Sequence, residues 1–208
     1  MEEAITVKHP RLQLVLDVGG VLASNLSPVF WELVSEAAGI PSGQNEIYKL
    51  YRKEVSEKLW IGEITEQQFW EWLEAQSPSL VKELCESFLY RCLQPLPAMG
   101  KLETWSRSAD IHILSNHIEI WLQPLLNRIR PSIGHTVISS QVAMKKPDAA
   151  IFHHMAALLP SGSPILFVDD KPGNLEIARS VGWQSMLADP EGVWLSLMDK
   201  RLASGGQA

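Results

Sequence analysis

Four short polar clusters in a chain of 208 residues carry side chains that could do chemistry. Asp17 closes the apolar run L-Q-L-V-L and is followed, after Val18, by Gly19 and Gly20. Ser115-Asn116 closes D-I-H-I-L, Lys145-Lys146-Pro147 follows T-V-I-S-S, and Asp169-Asp170 closes P-I-L-F-V ahead of K-P-G-N. Each has an ordinary explanation: a carboxylate satisfying turn amides, a helix N-cap, solvated lysines, a polar loop. Gathered at one place, they amount to more. Three converging acids raise one another's pKa values unless a cation intervenes. Hard oxygen ligands with room for water suit Mg²⁺. A metal beside a lysine and a hydroxyl suits a phosphoryl group, and a carboxylate in that setting can attack phosphorus to give an aspartyl phosphate.

The elements that must do the gathering are readable from periodicity. Strands are expected at 12–17, 110–115, 136–140 and 164–169, with a short one near Q-S-M-L, and helices at 98–108, 117–130, 148–159 and 173–181 between them. Pro124 should kink the second of these helices. Alternation of this kind implies crossover connections and a parallel sheet. Ligands then bind at the carboxyl ends of the strands, where all four clusters fall. Between the first strand and Pro95 no strand pattern occurs. Helices are expected there at S-P-V-F-W-E-L-V-S-E-A-A-G, with Ser27 as N-cap and Pro28 at the first helical position, at E-I-Y-K-L-Y-R-K-E-V-S-E-K-L-W, at 65–75 with a Thr65/Gln68 capping box, and at 79–93. The fold class expected is therefore α/β, a Rossmann-like parallel sheet with an inserted α-helical cap. The core comprises 1–23 and 94–208, and the cap 24–93.

Composition narrows the function. A formal net charge of −6 disfavours nucleic acid as the main partner. No apolar run approaches the ~20 residues that span a bilayer, and the start M-E-E-A-I-T-V-K-H-P lacks the features of a signal peptide, so no membrane role is expected. Cys85 and Cys92 lie about two helical turns apart, too far for a disulfide, which suits buried thiols in a cytoplasmic protein. The tail S-G-G-Q-A is expected to fray.

In their order, L-V-L-D-V-G-G-V-L, I-L-S-N, K-K-P-D-A-A-I-F and F-V-D-D-K-P-G-N-L-E-I-A-R-S-V-G-W resemble the haloacid dehalogenase superfamily of aspartate-nucleophile hydrolases. The helical block resembles that superfamily's small cap, and W-I-G-E-I-T-E-Q-Q-F-W its segment near the active site. The resemblance implies that Asp17 is the nucleophile and a Mg²⁺ ligand, with a backbone carbonyl from Gly19. It implies that Ser115 and the Asn116 amide hold a phosphoryl oxygen, and that Lys146 neutralises charge between nucleophile and phosphate. Asp170 would bind the metal directly, Asp169 through water, and Asn174 would brace that loop. Gly20, Asn116, His117 and Trp60 fall on the substrate side.

One departure matters. Most phosphatases of this superfamily carry an aspartate two residues after the nucleophile, which protonates the leaving oxygen and then activates water. Here it is Gly19, and a positioned acid–base is worth ~10²–10⁴-fold. The D-x-G-(G/N)-V pattern resembles a subset that includes sugar-phosphate phosphatases of the glucose 1-phosphate type, whose anomeric leaving group needs less protonation. A small phosphorylated metabolite is the partner expected. His117 either supplies a proton from the side or is a surface residue in the first turn of its helix. Two alternatives remain: a 2-haloacid dehalogenase, although the arginine such enzymes carry is absent from 18–30 and the Asp169-Asp170 pair is retained, or a binding module with weakened turnover.

The cap is rich in aromatics. Phe69, Trp72 and Leu73 at helical spacing read as packing. Trp60, beside Ile61-Gly62, is the exception. A tight turn at Gly62 would put it over the pocket as a platform for a sugar face. An exposed aromatic there would also serve a homodimer.

Overall fold

The computed structural model describes residues 10–41 and 43–204. Five strands form one sheet in the order β3-β2-β1-β4-β5. They are β1 (Leu12–Leu16), β2 (Ala109–Ser115), β3 (Thr136–Ile138), β4 (Ile165–Asp169) and β5 (Gln184–Leu187), and every pairing is parallel. The chain enters at the centre, builds outward through β2 and β3, and returns to β4 on the other side of β1. Connections therefore diverge on either side of β1, and a crevice opens at its carboxyl end. Leu16 is level with Ile113 and Val168, which brings Asp17, Ser115 and Asp169 to one edge.

Both faces of the sheet are covered, so its strands are apolar almost throughout. Leu12, Leu14 and Leu16 face a core built with Leu122, Leu125, Trp194 and Met198. Val15 faces the opposite way, toward Ile151, Phe152, Met155 and Trp183. The first layer is supplied by α6 (Leu102–Trp105), α7 (Glu119–Ile129) and α11 (Val193–Ala203), and the second by α9 (Ala149–Leu158) and α10 (Pro172–Ser180). Among the described residues the shortest helices include α8 (Ser139–Val142), directly after β3.

Between β1 and β2 the chain forms α1 (Val29–Ala37), α2 (Glu46–Glu54), α3 (Ser56–Trp60), α4 (Glu66–Glu74) and α5 (Lys82–Cys92). Their buried faces make a separate aromatic cluster around Phe30, Trp31, Tyr51, Phe69 and Trp70, which Ile118 and Trp121 join from beyond β2. Cys85 and Cys92 are free and buried within it.

Local differences from expectation have local causes. The Thr65–Gln68 capping box forms as expected, whereas Ser27 caps nothing and α1 begins after Pro28. The expected long second helix breaks at Val55 (φ −120°), a bend that buries Val55 and Leu59 and sends Trp60 off on a new axis. Pro97 and Gly100 turn the start of the helix expected at 98–108 into a 3-10 turn over Pro97–Lys101. Strand β3, expected to reach 140, ends at Ile138, where the chain turns into α8 and the Ser139 hydroxyl accepts from the His117 amide. Helix α11 was not expected. Asp189 caps it with two carboxylate bonds of 2.8 Å to the amides of Val193 and Trp194, and Asp199 docks it through Trp105 (2.7 Å) and Lys101 (2.8 Å). The expectation for the end of the tail, like that for the first nine residues, lies outside the described residues.

Candidate active site

The loop leaving β1 is held from beneath. Val18, Val21, Leu22 and Ala23 are buried in the core, and the amides of Val21, Leu22 and Ala23 all converge on the Val18 carbonyl. This leaves Gly19 and Gly20 as the half-buried crest of the turn. Gly20 has φ +71°, and a Cβ there would run into the Asp170 carboxylate. Gly19 is under no backbone strain, but a Cβ on it would lie 2.6 Å from Asn25 Oδ1. The space that an acid at this position would take is thus filled by Asn25, whose Nδ2 donates to Asp170 Oδ2 at 2.9 Å.

Lys146 is the electrostatic centre. Its buried ammonium lies 2.8 Å from Asp17 Oδ2 and 2.6 Å from Asp169 Oδ2, above the ring of Phe167. Burial is the largest influence on Asp17 and favours the neutral acid. The Lys146 charge and hydrogen bonds from Lys146 and Ser115 together outweigh it, holding the carboxyl below its ordinary value. Burial likewise works against the Lys146 ammonium, and the charges of Asp17 and Asp169 more than reverse it. Asp169 goes the other way, pushed up to about 6 by burial and by the nearby Asp17 charge despite Lys146. Its carboxylate also accepts from the Lys171 amide (2.8 Å) and from Asn174 Nδ2 at 3.0 and 2.9 Å, so Asn174 fixes its rotamer.

Carboxylate oxygens of Asp17, Asp169 and Asp170 lie within 4.8 Å of one another. Asp170 Oδ1 is buried and has no hydrogen-bond partner. A buried anionic oxygen without a partner is costly, and three carboxylates face one buried ammonium. The donor set is all oxygen, as Mg²⁺ requires. The residues present fit that ion.

The remaining strand-end residues are tied to one another. Asn116 clamps the backbone of Lys146, donating to its carbonyl (2.7 Å) and accepting from its amide (2.8 Å). The Asn116 side chain is therefore a brace for the Lys146 backbone. Ser139 does the same for His117, accepting from its amide at 3.0 Å. His117 is buried, which corrects the surface reading. Burial pulls its pKa down to about 4, leaving a neutral imidazole. Nδ1 is 3.2 Å from the Ile118 carbonyl and must be its protonated nitrogen, so Nε2 carries a lone pair and has no proton to give. Expectation of a side-on acid at His117 fails on this point.

A cavity of about 450 Å³ rises from these groups into the helical block. Asp17, Ser115, Asn116, Lys146 and Lys171 line one end, while Phe30, Trp31, Tyr51, Trp60, Phe69 and Trp121 line the other. Trp60 packs edge-on to His117 at 5.6 Å between ring centres. Gly62, at φ +75°, sits against the Ser140 carbonyl so closely that no side chain would fit, and Glu57 pairs with Lys145 beside it. The helical block is thus closed over the strand ends at this seam. Asn25 and Lys171 are site residues that motif reading missed. Asn25 lies in no recognisable pattern, whereas Lys171 stands inside the F-V-D-D-K-P-G-N stretch directly after the two aspartates and was given no role there.

Comparison with known proteins agrees with this geometry at the level of fold. No family model matches the sequence. A drimenol cyclase from Aspergillus calidoustus is 26% identical over 193 residues, 84% of this chain, and the chain spans about a third (33%) of that relative. An HAD family enzyme from Bacteroides thetaiotaomicron, solved with magnesium and inorganic phosphate, superposes with a TM-score of 0.76 at 19% identity, covering 90% of this chain and 98% of that one. A predicted HAD-like family hydrolase from Porphyromonas gingivalis gives 0.72 at 22% identity, with 92% and 98% covered. An L-2-haloacid dehalogenase gives 0.61 at 16% identity, with 85% and 84% covered. The fold is that of HAD family enzymes, a parallel five-stranded sheet flanked by helices. Among the described residues no helix is long and apolar enough to cross a membrane.

Proposed function

We propose that the protein is a haloacid dehalogenase superfamily hydrolase that cleaves phosphoric monoesters of a small metabolite in a Mg²⁺-dependent reaction, with residues 24–93 acting as its cap. The observation that carries this reading is the bridge from Asp17 through Lys146 to Asp169, with the unpartnered Asp170 Oδ1 beside it. Mg²⁺ would be held by Asp17, Asp170 and the Gly19 carbonyl, with Asp169 behind a water, and would neutralise phosphoryl charge.

The chain's own residues do the rest. Lys146 and Ser115 keep Asp17 ionised and receive two phosphoryl oxygens, with the Asn116 amide beside them. An Asp17 oxygen attacks phosphorus, the bond to the leaving oxygen breaks, and that oxygen departs with the electron pair. Water then attacks the aspartyl phosphate, releasing inorganic phosphate and restoring Asp17. No side chain at position 19 protonates the leaving group, and His117 has no proton on Nε2 to offer. Its lone pair can instead accept from the incoming water. A closed helical block keeps bulk water out of the aspartyl phosphate.

The bound magnesium and phosphate of the Bacteroides enzyme favour phosphate esters over haloacids as substrates. The test is release of phosphate from acetyl phosphate and glucose 1-phosphate with and without Mg²⁺, alongside halide release from 2-chloropropionate. Metal-dependent phosphate release supports the proposal. Halide release without metal would replace it with a dehalogenase.

A further inference from the structure

The proposed phosphatase chemistry leaves open what the leaving group is, and two observations made at opposite ends of the cavity point the same way. The first is the filled slot beside Gly19. Asn25 occupies the space of the missing acid and is itself held by Asp170. An amide can donate a hydrogen bond but cannot transfer a proton at neutral pH, so the leaving oxygen departs as an anion. Only an oxygen whose conjugate acid is fairly strong leaves readily in that form. A phenol-type hydroxyl and the anomeric hydroxyl of a sugar both qualify, whereas ordinary alkyl alcohols do not.

The second observation separates those two. The cavity wall that a leaving group would meet is built of Phe30, Trp31, Tyr51, Trp60, Phe69 and Trp121. The polar edges of Trp121 and Tyr51 are engaged within the protein. Trp121 Nε1 donates to Glu66 at 2.8 Å, and the Tyr51 hydroxyl lies beside Ser56 and Trp60, its pKa raised to about 12 by burial. Of the polar side chains around the cavity, Lys145 is held by Glu57, Asn116 by the Lys146 backbone and Asn25 by Asp170, while Arg52 and Lys171 are solvent-exposed and Tyr48 is half-buried. A sugar has a hydroxyl on almost every carbon, and each one buried without a partner is costly. A flat apolar ring loses nothing there and gains edge-to-face contacts.

We propose that the substrates are phosphate esters of aromatic hydroxyl compounds, with the ring system seated among the cap aromatics and the phosphoryl group on Asp17. The proposal rests on the phosphatase reading, and its test keeps the two apart. Steady-state kinetics with Mg²⁺ would be measured on acetyl phosphate, phenyl phosphate, 1-naphthyl phosphate and glucose 1-phosphate. Acetyl phosphate needs neither an acid nor the chamber, so its turnover reports the Asp17 chemistry alone. Phenol and naphthol leave with similar ease, so their ratio reports the chamber. Naphthyl is expected to exceed phenyl by about tenfold in kcat/KM, mainly through KM, and to exceed glucose 1-phosphate by more. In Trp60→Ala the naphthyl-to-phenyl ratio is expected to collapse toward one, a ratio that does not depend on how much enzyme is folded. Acetyl phosphate turnover with glucose 1-phosphate preferred over naphthyl phosphate, or with naphthyl and phenyl equal in the wild type, overturns the aromatic assignment alone. No turnover of any of the four removes the phosphatase reading and this inference with it.

Discussion

The two ends of the cavity are made by different physics. At the sheet end, small polar side chains are fixed by short hydrogen bonds: Lys146 between two carboxylates, Asn174 on Asp169, Asn116 on the Lys146 backbone. At the cap end, large rings hold one another by packing, such as Phe69 against Trp70 at 4.7 Å and Trp31 against Tyr51 at 4.4 Å between ring centres. A hydrogen-bonded site tolerates almost no change of residue type, because each atom has an assigned partner. A packed chamber tolerates many, because volume and shape are shared among neighbours. Under the proposed function, the sheet end would set which reaction is possible and the helical end what the reaction is done to.

That contrast can be broken by substitution, and the largest effect belongs at the sheet end. Asp17→Asn keeps the shape and removes the nucleophile, so kcat for any phosphate ester should fall by on the order of 10⁴ or more, with the fold intact by circular dichroism. Lys146→Met should cost activity and stability together. It leaves the Asp17 and Asp169 carboxylates facing each other in a buried place, a loss of about 3–5 kcal/mol in denaturant unfolding at neutral pH. Added Mg²⁺ should recover part of that loss, which a purely structural lysine would not allow.

Restoring the absent acid gives a smaller and more informative effect. Gly19→Asp alone must push Asn25 aside, since its Cβ would lie 2.6 Å from Asn25 Oδ1. The double change Gly19→Asp with Asn25→Gly clears that space. Turnover of an alkyl phosphate such as glycerol 3-phosphate should then rise by about ten- to a hundredfold over the wild type, with little gain for phenyl phosphate. Equal gains for both would mean that leaving-group protonation is not what the site lacks.

The smallest effect is expected far from both ends. His112 in β2 donates from Nε2 to Gln13 Oε1 at 2.9 Å and accepts at Nδ1 from the His135 amide at 3.0 Å, a pairing that only a neutral ring satisfies. Burial, followed by the nearby His135, lowers its pKa from 6.5 to about 4. Above pH 6.5 the ring is neutral in both folded and unfolded chains and nothing is lost. As pH falls below that value the unfolded chain takes up the proton first, so stability declines until the folded ring titrates near 4. The decline from this group should fall between pH 6.5 and about 4, and His112→Gln should flatten that part of the pH–stability curve without altering phosphate release.

What could be read from the sequence follows the same division. The gathering at the sheet end was legible: Asp17, Ser115, Asp169 and Asp170 stand at strand ends that parallel register brings together, while Lys146 reaches the same edge from beyond α8 and Asn174 from the first turn of α10. Asn25 was not legible. It reaches the site by a loop path that no periodicity encodes, and only the short distance to Gly19 reveals which side chain stands in the second acid's place. At the cap end, residue type was readable and orientation was not. Phe69 and Trp70 look equally like packing in the sequence, yet Phe69 lines the cavity and Trp70 turns its N–H to Glu66. The bend at Val55, which decides where Trp60 lies, has no signal stronger than one β-branched residue. Helix α11 had a signal, with apolar residues at 193, 194, 197, 198 and 202 behind an Asp189 cap, that pattern reading passed over.

The central claim is that Asp17 accepts the phosphoryl group beside a divalent cation held by its neighbours. A crystal grown with Mg²⁺ and beryllofluoride tests it most directly. The account predicts beryllium joined to an Asp17 carboxylate oxygen, with Mg²⁺ touching Asp17 and the now partnered Asp170 Oδ1. Mg²⁺ bound elsewhere, or beryllofluoride seated away from Asp17 while the enzyme still releases phosphate, would contradict it.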